Sequence, residues 1–333
     1  MSERRFDGAT AVFAPAATRT LGAAVARALG CELAPLEERR FGGGEFKIRP
    51  LESVRSRPAC IVQSIHGDAA GSASDKFLEL LFLAGAVRDA GAERVCAVIP
   101  YLGFARKDRR TKSRDPVTSR YVAQLIEAIG IDHVMVVDVH NPAAFDNAFR
   151  IRADHLTTAR LFAEHFAGRG FAEPLAVVSP DLGGAKRAQL LREALQRLSG
   201  SPVEFGCVEK RRSAGVVSGH YFAGDVGGRS VILLDDLISS GGTLLRAART
   251  CRAAGAVAVH AAATHAPFEP NAADMLGDPV FDSLAVTDTV TPDVECVRRL
   301  AGRMRVLPIA NLLASAIGCL HGRGSLTALL ASD

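Results

Sequence analysis

The sequence predicts an α/β protein of two domains, each a mainly parallel sheet flanked by helices. Short apolar runs alternate with helical patterns along all 333 residues, and this alternation is typical of parallel sheets with crossover helices. A chain of this length suits two ordinary domains better than one. Small and polar residues directly follow several apolar runs, where open parallel sheets bind their ligands.

Each predicted strand is a short apolar run that precedes a turn or a helical pattern. In chain order these runs are 10–13, 59–64, 95–100, 133–139, 175–179, 231–234, 257–263, 284–287 and 305–308. Apolar residues recur at helical spacing between them, for example in 75–90, 117–129, 157–167 and 241–254. The two halves therefore resemble each other in organisation, although no sequence repeat relates them.

The domain boundary is predicted near residues 149–155. An N-terminal domain of residues 1–152 precedes a C-terminal domain of residues 153–304. The final segment, 305–333, is expected to pack back onto the first domain. No low-complexity linker separates the halves, so we expect them to lie in close contact.

Composition predicts a soluble globular protein, with 48% apolar and 23% charged residues. The formal net charge of +4 is small for this length and argues against a dedicated nucleic-acid surface. No uninterrupted apolar stretch approaches a membrane span. The seven cysteines are scattered, odd in number and without CxxC spacing, which predicts buried, reduced thiols and a cytoplasmic location.

A glycine run, Gly42 to Gly44, lies between Phe41 and Glu45. Glycines between an aromatic ring and an acid would let the backbone approach a nucleotide. The same pattern is also that of a plain hairpin turn, which the run by itself favours.

A dense group of cations follows the predicted strand 95–100. Its members are Arg106, Lys107, Arg109, Arg110, Lys112 and Arg114, with Asp108 among them. A run of charges is usually a solvated face. Because this one follows a strand end, a loop that faces a polyphosphate is at least as consistent with the pattern.

Two further strand ends carry acids. Asp138 and His140 lie at the end of the run 133–139, and strand alternation predicts that they face the same side. They could then share an ion or phosphate contact. The alternative is that His140 only caps a core strand. Asp181 precedes Gly183 and Gly184 at the end of the run 175–179. An acid beside a glycine turn repels phosphate unless a cation bridges them, so magnesium is the natural expectation.

Lys210, Arg211 and Arg212 open a segment that contains Gly215 and Gly219. Mobile cations near a phosphate site are what a diphosphoryl transfer would use. Lys210 and Arg212 are two residues apart, so in extended backbone they point to the same side.

The stretch 231–244 is the most informative in the chain. Its apolar strand precedes Asp235 and Asp236, and a small-residue turn follows, formed by Ser239, Ser240, Gly241, Gly242 and Thr243. Such a turn exposes backbone N–H groups at a helix start near Leu244, which suits a phosphate. The carboxylates can accept bonds from two sugar hydroxyls, so the stretch predicts a phosphorylated-sugar site. The alternative is an ordinary strand–turn–helix with solvated acids.

Together these motifs closely resemble the ribose-phosphate diphosphokinase family over nearly the whole chain. The resembling stretches are RFGGGE (40–45), PYLGFARKDRR (100–110), RDPVT (114–118), DVH (138–140), SPDLGG (179–184), KRR (210–212) and LDDLISSGGT (234–243). Type I phosphoribosyltransferases share only the last of these stretches. The resemblance implies two phosphoribosyltransferase-like, Rossmann-like domains.

The resemblance also implies a role for each site residue. Phe41, Glu45, Arg106, Lys107, Asp108, Arg114 and His140 would bind ATP, with Phe41 and Glu45 supplied by a neighbouring subunit. Asp181, Asp235, Asp236 and Ser239 to Thr243 would bind ribose 5-phosphate. His140 and Asp181 would be linked to Mg²⁺, and Lys210 and Arg212 would be the catalytic cations. Gly43, Lys107, Ser213, Lys76 and the run 141–149 depart from the usual family pattern.

The implied reaction transfers the β,γ-diphosphoryl group of MgATP to the anomeric hydroxyl of ribose 5-phosphate, giving 5-phosphoribosyl 1-diphosphate and AMP for nucleotide biosynthesis. Two alternatives stay open: a catalytically inactive regulatory homologue and a type I phosphoribosyltransferase. The expected partners are ATP, ribose 5-phosphate and further copies of the chain, as a hexamer or dimer, with no nucleic acid and no membrane.

Overall fold

The computed structural model describes residues 10–171, 174–213, 216–320, 322 and 324–330. It describes the side chains of these residues apart from 209–213, 216–221 and 330. The described chain divides into two compact units. The first comprises the residues up to 156 together with those from 309, and the second comprises residues 157–308.

The first unit is built on a five-stranded parallel sheet of order β1-β4-β5-β6-β7. A separate antiparallel hairpin is formed by β2 and β3. In chain order the elements are β1 (Ala11–Phe13), α1 (Arg19–Leu29), β2 (Leu36–Arg40), β3 (Phe46–Pro50), β4 (Pro58–Val62), α2 (Ala73–Asp89), β5 (Arg94–Ile99), α3 (Thr118–Ala128), β6 (His133–Val137), α4 (Pro142–Ala148) and β7 (Arg152–Leu156).

Apolar side chains of β4, β5 and β6 are buried along almost their whole length, as expected for parallel strands covered on both faces. Phe77, Leu80 and Leu83 of α2 and Ile126 of α3 join one core with the sheet. A capping box formed by Ser72 fixes the start of α2. The packing leaves the carboxyl ends of β5 and β6 as neighbours at one edge of the sheet.

The second unit contains a seven-stranded sheet of order β10-β9-β8-β11-β12-β13-β14, parallel except for the β9–β10 pair. Its elements are α5 (Ala159–Ala167), β8 (Leu175–Ser179), α6 (Ala185–Ser199), β9 (Val203–Ser213), β10 (Val216–Ala223), β11 (Ser230–Leu237), α7 (Gly242–Ala253), β12 (Ala258–His265), α8 (Ala272–Leu276), β13 (Ser283–Thr287), α9 (Val294–Arg299) and β14 (Met304–Leu307).

Phe162 and Phe166 of α5 and Leu191 and Leu195 of α6 pack with the central strands in the core of this unit. The chain then returns to the first unit, where α10 (Ala310–Leu320) packs against α1 and α11 (Leu326–Leu330) follows. All seven cysteines are free and five are buried, as the sequence predicts.

The α/β fold with mainly parallel sheets is confirmed, and each of the predicted strands and helices overlaps an observed one. The sequence pattern did not show β7, which runs through the segment 149–155 where we placed the domain boundary. Likewise β14 lies at residues 304–307 in the second sheet, so the chain returns to the first unit only from residue 309.

Candidate active site

In the first unit, the cation-rich segment after β5 is an ordered loop built around Asp115. The Asp115 carboxylate accepts bonds from the Thr111 hydroxyl (2.7 Å) and from the N–H groups of Thr111 and Lys112 (both 3.0 Å). The Lys107 ammonium lies 2.6 Å from the same carboxylate. This ion pair, with the other bonds, holds the pKa of Asp115 well below its usual range. Lys107, predicted to bind ATP, is therefore engaged within the loop itself.

The remaining predicted cations of this loop face solvent. Arg106 and Arg114 are exposed, as are Arg109 and Lys112, and none of the four forms an ion pair within the described part of the chain. Asp108, also predicted to bind ATP, accepts a 2.6 Å hydrogen bond from the Asn141 side-chain amide. That bond joins the loop to the residue after His140, so the two predicted ATP-binding segments do meet.

Backbone strain is concentrated at these segments. Phe104 (φ 64°), Arg114 (φ 66°) and Asp138 (φ 39°) are three of the four described non-glycine residues with positive φ. Gly103 permits the loop to cross the β4–α2 connection, because a Cβ there would lie 2.4 Å from the Ile65 carbonyl oxygen. Strained backbone of this kind persists where the surroundings enforce it, and it is typical of functional sites.

The reason given for Asp138 and His140 sharing a side is wrong. Strand β6 ends at Val137, and the positive φ of Asp138 breaks the alternation on which that prediction depended. Asp138 is buried and its N–H donates to the Leu156 carbonyl oxygen, whereas His140 is exposed. Both residues nevertheless lie where β6 ends, beside the end of β5.

Phe41 and Glu45 lie at the tip of the β2–β3 hairpin, so the plain hairpin turn is confirmed. Both side chains are exposed, and a Cβ built on any of Gly42, Gly43 or Gly44 would have no described atom within 4 Å. Next to the tip, Arg40 at the end of β2 forms a 2.5 Å ion pair with the buried Glu79 of α2. The tip therefore projects as an anchored but open structure.

In the second unit, Asp181 caps a short turn at the end of β8. Its carboxylate accepts the N–H of Gly184 (3.1 Å), and the Ser179 hydroxyl donates to its carbonyl oxygen (2.6 Å). A Cβ on Gly184 would lie 2.7 Å from the Ser179 hydroxyl oxygen, so this turn requires a glycine. Asp181 is thus held at the strand end.

Asp235 and Asp236 lie within the last part of β11 rather than after it, and β11 is the neighbour of β8. Burial, the charge of Asp236 and the charge of Asp181 raise the pKa of Asp235 to about 8. Asp236 is buried 4.0 Å from the Arg187 guanidinium. The structure therefore brings the three predicted acids together and places one cation beside them.

The predicted phosphate turn joins β11 to α7. Gly241 has a φ of 82°, and a Cβ there would contact Leu276 at 3.0 Å. Helix α7 begins at Gly242, within the predicted pattern 241–254, and its N-cap residue Gly241 provides no side-chain cap. The Ser240 hydroxyl oxygen makes only a long contact, 3.5 Å from the Gly242 nitrogen. Its first N–H groups, in the stretch from Ser239 to Thr243, are therefore available to an anion.

Lys210 and Arg212 lie on β9, which forms an antiparallel hairpin with β10. Their side chains are outside the described part of the structure, as is the backbone of Gly215. Their predicted roles stay predictions.

Two residues near the acids were missed by the sequence analysis. Arg187, in the first turn of α6, neutralises Asp236; a cation soon after the glycine turn was the available signal. Glu269, beyond β12, accepts a hydrogen bond from the Ser239 hydroxyl and donates its own N–H to the Ser239 carbonyl oxygen. Ser239 and Glu269 are 30 positions apart in the chain, and nothing in the sequence indicated that they meet.

No group of three or more His, Cys, Asp or Glu side chains in the described residues forms a ready-made metal site. Nor does the described chain contain a helix long and apolar enough to cross a membrane.

Parallel sheets with acids and a phosphate-type turn at their carboxyl edge define an α/β enzyme of the phosphoribosyltransferase-like class. Residues 10–130 match the family described as the N-terminal domain of ribose phosphate pyrophosphokinase. Residues 218–331 match the phosphoribosyl synthetase-associated domain. The chain belongs to the ribose-phosphate pyrophosphokinase family.

Similar proteins span almost the whole chain. It is 35% identical over 322 residues to ribose-phosphate pyrophosphokinase 1 of Streptococcus pyogenes serotype M3, covering 96% of each. It is also 35% identical to ribose-phosphate pyrophosphokinase of Vibrio parahaemolyticus, covering 96% of this chain and 98% of the relative. The crystal structure of phosphoribosylpyrophosphate synthetase from Mycobacterium smegmatis superposes with a TM-score of 0.83 at 30% identity, covering 95% and 99% of the two chains.

Proposed function

We infer that this protein is a ribose-phosphate diphosphokinase, which makes 5-phosphoribosyl 1-diphosphate and AMP from ATP and ribose 5-phosphate. The observation that carries this inference is similarity to ribose-phosphate pyrophosphokinases along 96% of the chain. That similarity includes both units, whereas a single sugar-phosphate turn is common to several enzyme classes.

On the ATP side, we propose that Arg106, Arg114 and His140 contact the phosphates. Exposure of both arginines without an ion pair in the described chain supports this, because their guanidinium groups are available to an anion. Lys107 and Asp108 instead shape the loop through Asp115 and Asn141. Phe41 and Glu45 would serve the adenine pocket of a neighbouring subunit, which fits the open hairpin tip.

On the sugar side, Asp235 and Asp236 would accept hydrogen bonds from the ribose hydroxyls. The turn from Ser239 to Thr243 would bind the 5-phosphate through its backbone N–H groups. Lys210 and Arg212 would neutralise the diphosphoryl group during transfer. Such cations act on charge that develops in the transition state, so they raise kcat rather than ground-state affinity.

The residues present fit a magnesium ion. Asp181 and Asp235 offer carboxylate oxygens, which Mg²⁺ prefers. Burial, then the charge of Asp236 and last that of Asp181, raise the pKa of Asp235, a cost that a nearby cation relieves. Mg²⁺ commonly keeps several waters and substrate phosphates as ligands, so it needs no cage of three protein groups. When bound, it would neutralise phosphate oxygens and favour ionisation of the attacking hydroxyl.

In the reaction, the anomeric oxygen of ribose 5-phosphate forms a bond to the β-phosphorus of ATP. The bond from that phosphorus to the α,β-bridging oxygen breaks, so the oxygen leaves with AMP, and the hydroxyl proton passes to solvent. Transfers of this type need alignment and charge neutralisation more than covalent help from the protein. The two sets of strand-end groups are suited to that task.

The catalytically inactive homologue is the main competing function. It is disfavoured because the chain keeps each acid and cation that the reaction needs, including Asp181, Asp235 and Lys210. A type I phosphoribosyltransferase is disfavoured because the chain carries both domains of the synthetase family.

The test is to incubate purified protein with magnesium, ATP and ribose 5-phosphate and to separate the nucleotides by chromatography. We expect AMP and 5-phosphoribosyl 1-diphosphate in equal amounts, with neither formed when any one component is omitted. Formation of ADP, or of AMP without ribose 5-phosphate, would contradict the assignment. No turnover at all would favour the inactive homologue.

A further inference from the structure

Arg246, in the first turns of α7, lies over the phosphate turn. Its guanidinium Nη2 donates a 3.2 Å hydrogen bond to the Thr243 hydroxyl. Its Nη1 lies 3.4 Å from the position that a Cβ on Gly242 would occupy. The side chain thus folds back toward the helix N-terminus, onto the residues whose N–H groups are available to an anion.

The other arginines along the exposed side of α7 are already paired. Arg249 lies 2.7 Å from the Asp278 carboxylate, and Arg252 lies 2.6 Å from that of Asp282. Arg246 forms no ion pair with any described residue. An exposed guanidinium held at an N–H-rich turn, with no carboxylate of its own, is a preorganised partner for a phosphate dianion.

The opposite side of the turn carries a negative charge. Glu269 holds the Ser239 hydroxyl through its carboxylate and the Ser239 carbonyl oxygen through its N–H. While that bond is made, the Ser239 hydroxyl proton is not available to a phosphate, and the carboxylate repels one. Neutralisation of a bound phosphate therefore falls to the helix N-terminus and to Arg246.

We propose that Arg246 is a binding residue for the 5-phosphate of the sugar substrate and sets the preference for a phosphorylated over an unphosphorylated pentose. This inference rests on the proposed function. Its role is confined to the ground state, because the 5-phosphate does not change charge during the reaction. Loss of Arg246 therefore raises the KM for ribose 5-phosphate and leaves the KM for ATP and the kcat nearly unchanged.

The experiment compares Arg246→Ala with Arg249→Ala, a matched control that removes an arginine one turn further along the same helix. For Arg246→Ala we expect the KM for ribose 5-phosphate to rise by about 10- to 100-fold, as for a lost charge-assisted hydrogen bond. Arg246→Lys keeps the positive charge but lacks the paired N–H donors of the guanidinium. Its KM for ribose 5-phosphate should lie between those of the wild type and Arg246→Ala. Arg249→Ala should change each constant by less than about twofold.

Calorimetric titration of ribose 5-phosphate, with magnesium and a non-hydrolysable ATP analogue present, provides a readout that needs no turnover. We expect the dissociation constants of the variants for ribose 5-phosphate to rank in the same order as their KM values. If Arg246→Ala and Arg249→Ala bind the sugar phosphate equally, the inference is wrong. If the wild-type protein makes no AMP, the proposed function fails instead, and the titration still reports on Arg246.

Discussion

Asp235 is the residue whose chemistry depends most on its surroundings. Its side chain lies in β11 beside Asp236 and near Asp181, and burial with these charges raises its pKa to about 8. An isolated aspartate ionises near pH 4. The folded chain therefore keeps a proton that the unfolded chain releases between about pH 4 and pH 8, and stability falls as the pH rises through this window.

Asp235→Asn should remove that dependence. We expect the variant to melt at a higher temperature than the wild type, with a gain that is small near pH 5 and increases toward pH 8. Each kcal/mol added to the free energy of unfolding raises the melting temperature by roughly 2 to 4 °C for a unit of this size. Differential scanning fluorimetry without ligands or divalent ions provides the measurement.

Glu93→Gln is a suitable control, because Glu93 is an exposed acid in the other unit. Its melting temperature should track that of the wild type at every pH. A gain for Asp235→Asn that stays constant with pH, or that is larger at pH 5 than at pH 8, would contradict the raised pKa.

Asp138 and Arg114 illustrate a second effect at the scale of single residues. Each adopts a positive φ without being glycine, at the ends of the segments that carry the predicted ATP-binding groups. The local sequence favours neither conformation. The surrounding loop contacts enforce them, as is typical of strained residues at functional sites.

At the scale of elements, the long β9–β10 hairpin carries the predicted catalytic cations. Alternate residues of a strand face opposite sides, so Lys210 and Arg212 are expected on one side of β9 and Arg211 on the other. We expect Lys210→Ala to reduce kcat by at least about a hundredfold, with the KM values for ATP and ribose 5-phosphate changed only a few-fold.

Arg211→Ala is the matched control, since it removes an adjacent cation from the same strand. It should retain most of the activity in steady-state assays of AMP formation. Similar losses in the two variants would mean that Lys210 has no special position, and the role assigned to this element would be wrong.

The cation-rich loop that follows β5 is not simply a solvated charged surface. One of its cations turns inward, because Lys107 and two backbone N–H groups share the Asp115 carboxylate. That arrangement holds the pKa of Asp115 low, so the carboxylate keeps its charge, and with it the Lys107 ion pair, to a lower pH than an ordinary aspartate would. The remaining cations are then presented outward on a fixed backbone.

At the scale of the whole molecule, we propose that the protein is a homo-oligomer in which hairpins complete the nucleotide sites of neighbouring subunits. The open tip of the β2–β3 hairpin supports this, because the Phe41 side chain is exposed there. The Arg39 guanidinium lies 5.0 Å from the centre of its ring. Closed symmetry is the usual arrangement for such assemblies.

Co-expression of two inactive, differently tagged subunits tests this proposal. One subunit carries Phe41→Ala with Glu45→Ala, and the other carries Lys210→Ala. If subunits assemble at random, the unfractionated co-expressed protein should regain about a quarter of wild-type activity, because one site in four then combines an intact hairpin with an intact Lys210.

The control is the hairpin variant co-expressed with itself under both tags, which should stay inactive. Hybrids that are equally inactive would show that the hairpin serves its own subunit, or serves no site. A fully active monomer by light scattering would also contradict the proposal.

The sequence by itself determined the fold class and predicted where the chemistry takes place. Buried parallel strands require continuous apolar runs, and ligand sites at their carboxyl ends require small or polar residues directly afterwards. Both requirements are local, so Asp181, Asp235 and the turn from Ser239 to Thr243 could be predicted as site residues from their position in the chain.

Only the tertiary structure decided which side chains meet. Asp236 pairs with Arg187, Ser239 with Glu269 and Asp108 with Asn141, each across an interval that carries no local periodicity. The pKa of Asp235 is also largely a tertiary property, because its main cause is burial; the charges of the adjacent Asp236 and of Asp181, which follows the neighbouring strand β8, add to it. Sequence periodicity determines which face of a helix or strand is buried. Contacts between strand-end loops depend instead on backbone conformations such as the positive φ of Asp138, which packing enforces against the local preference.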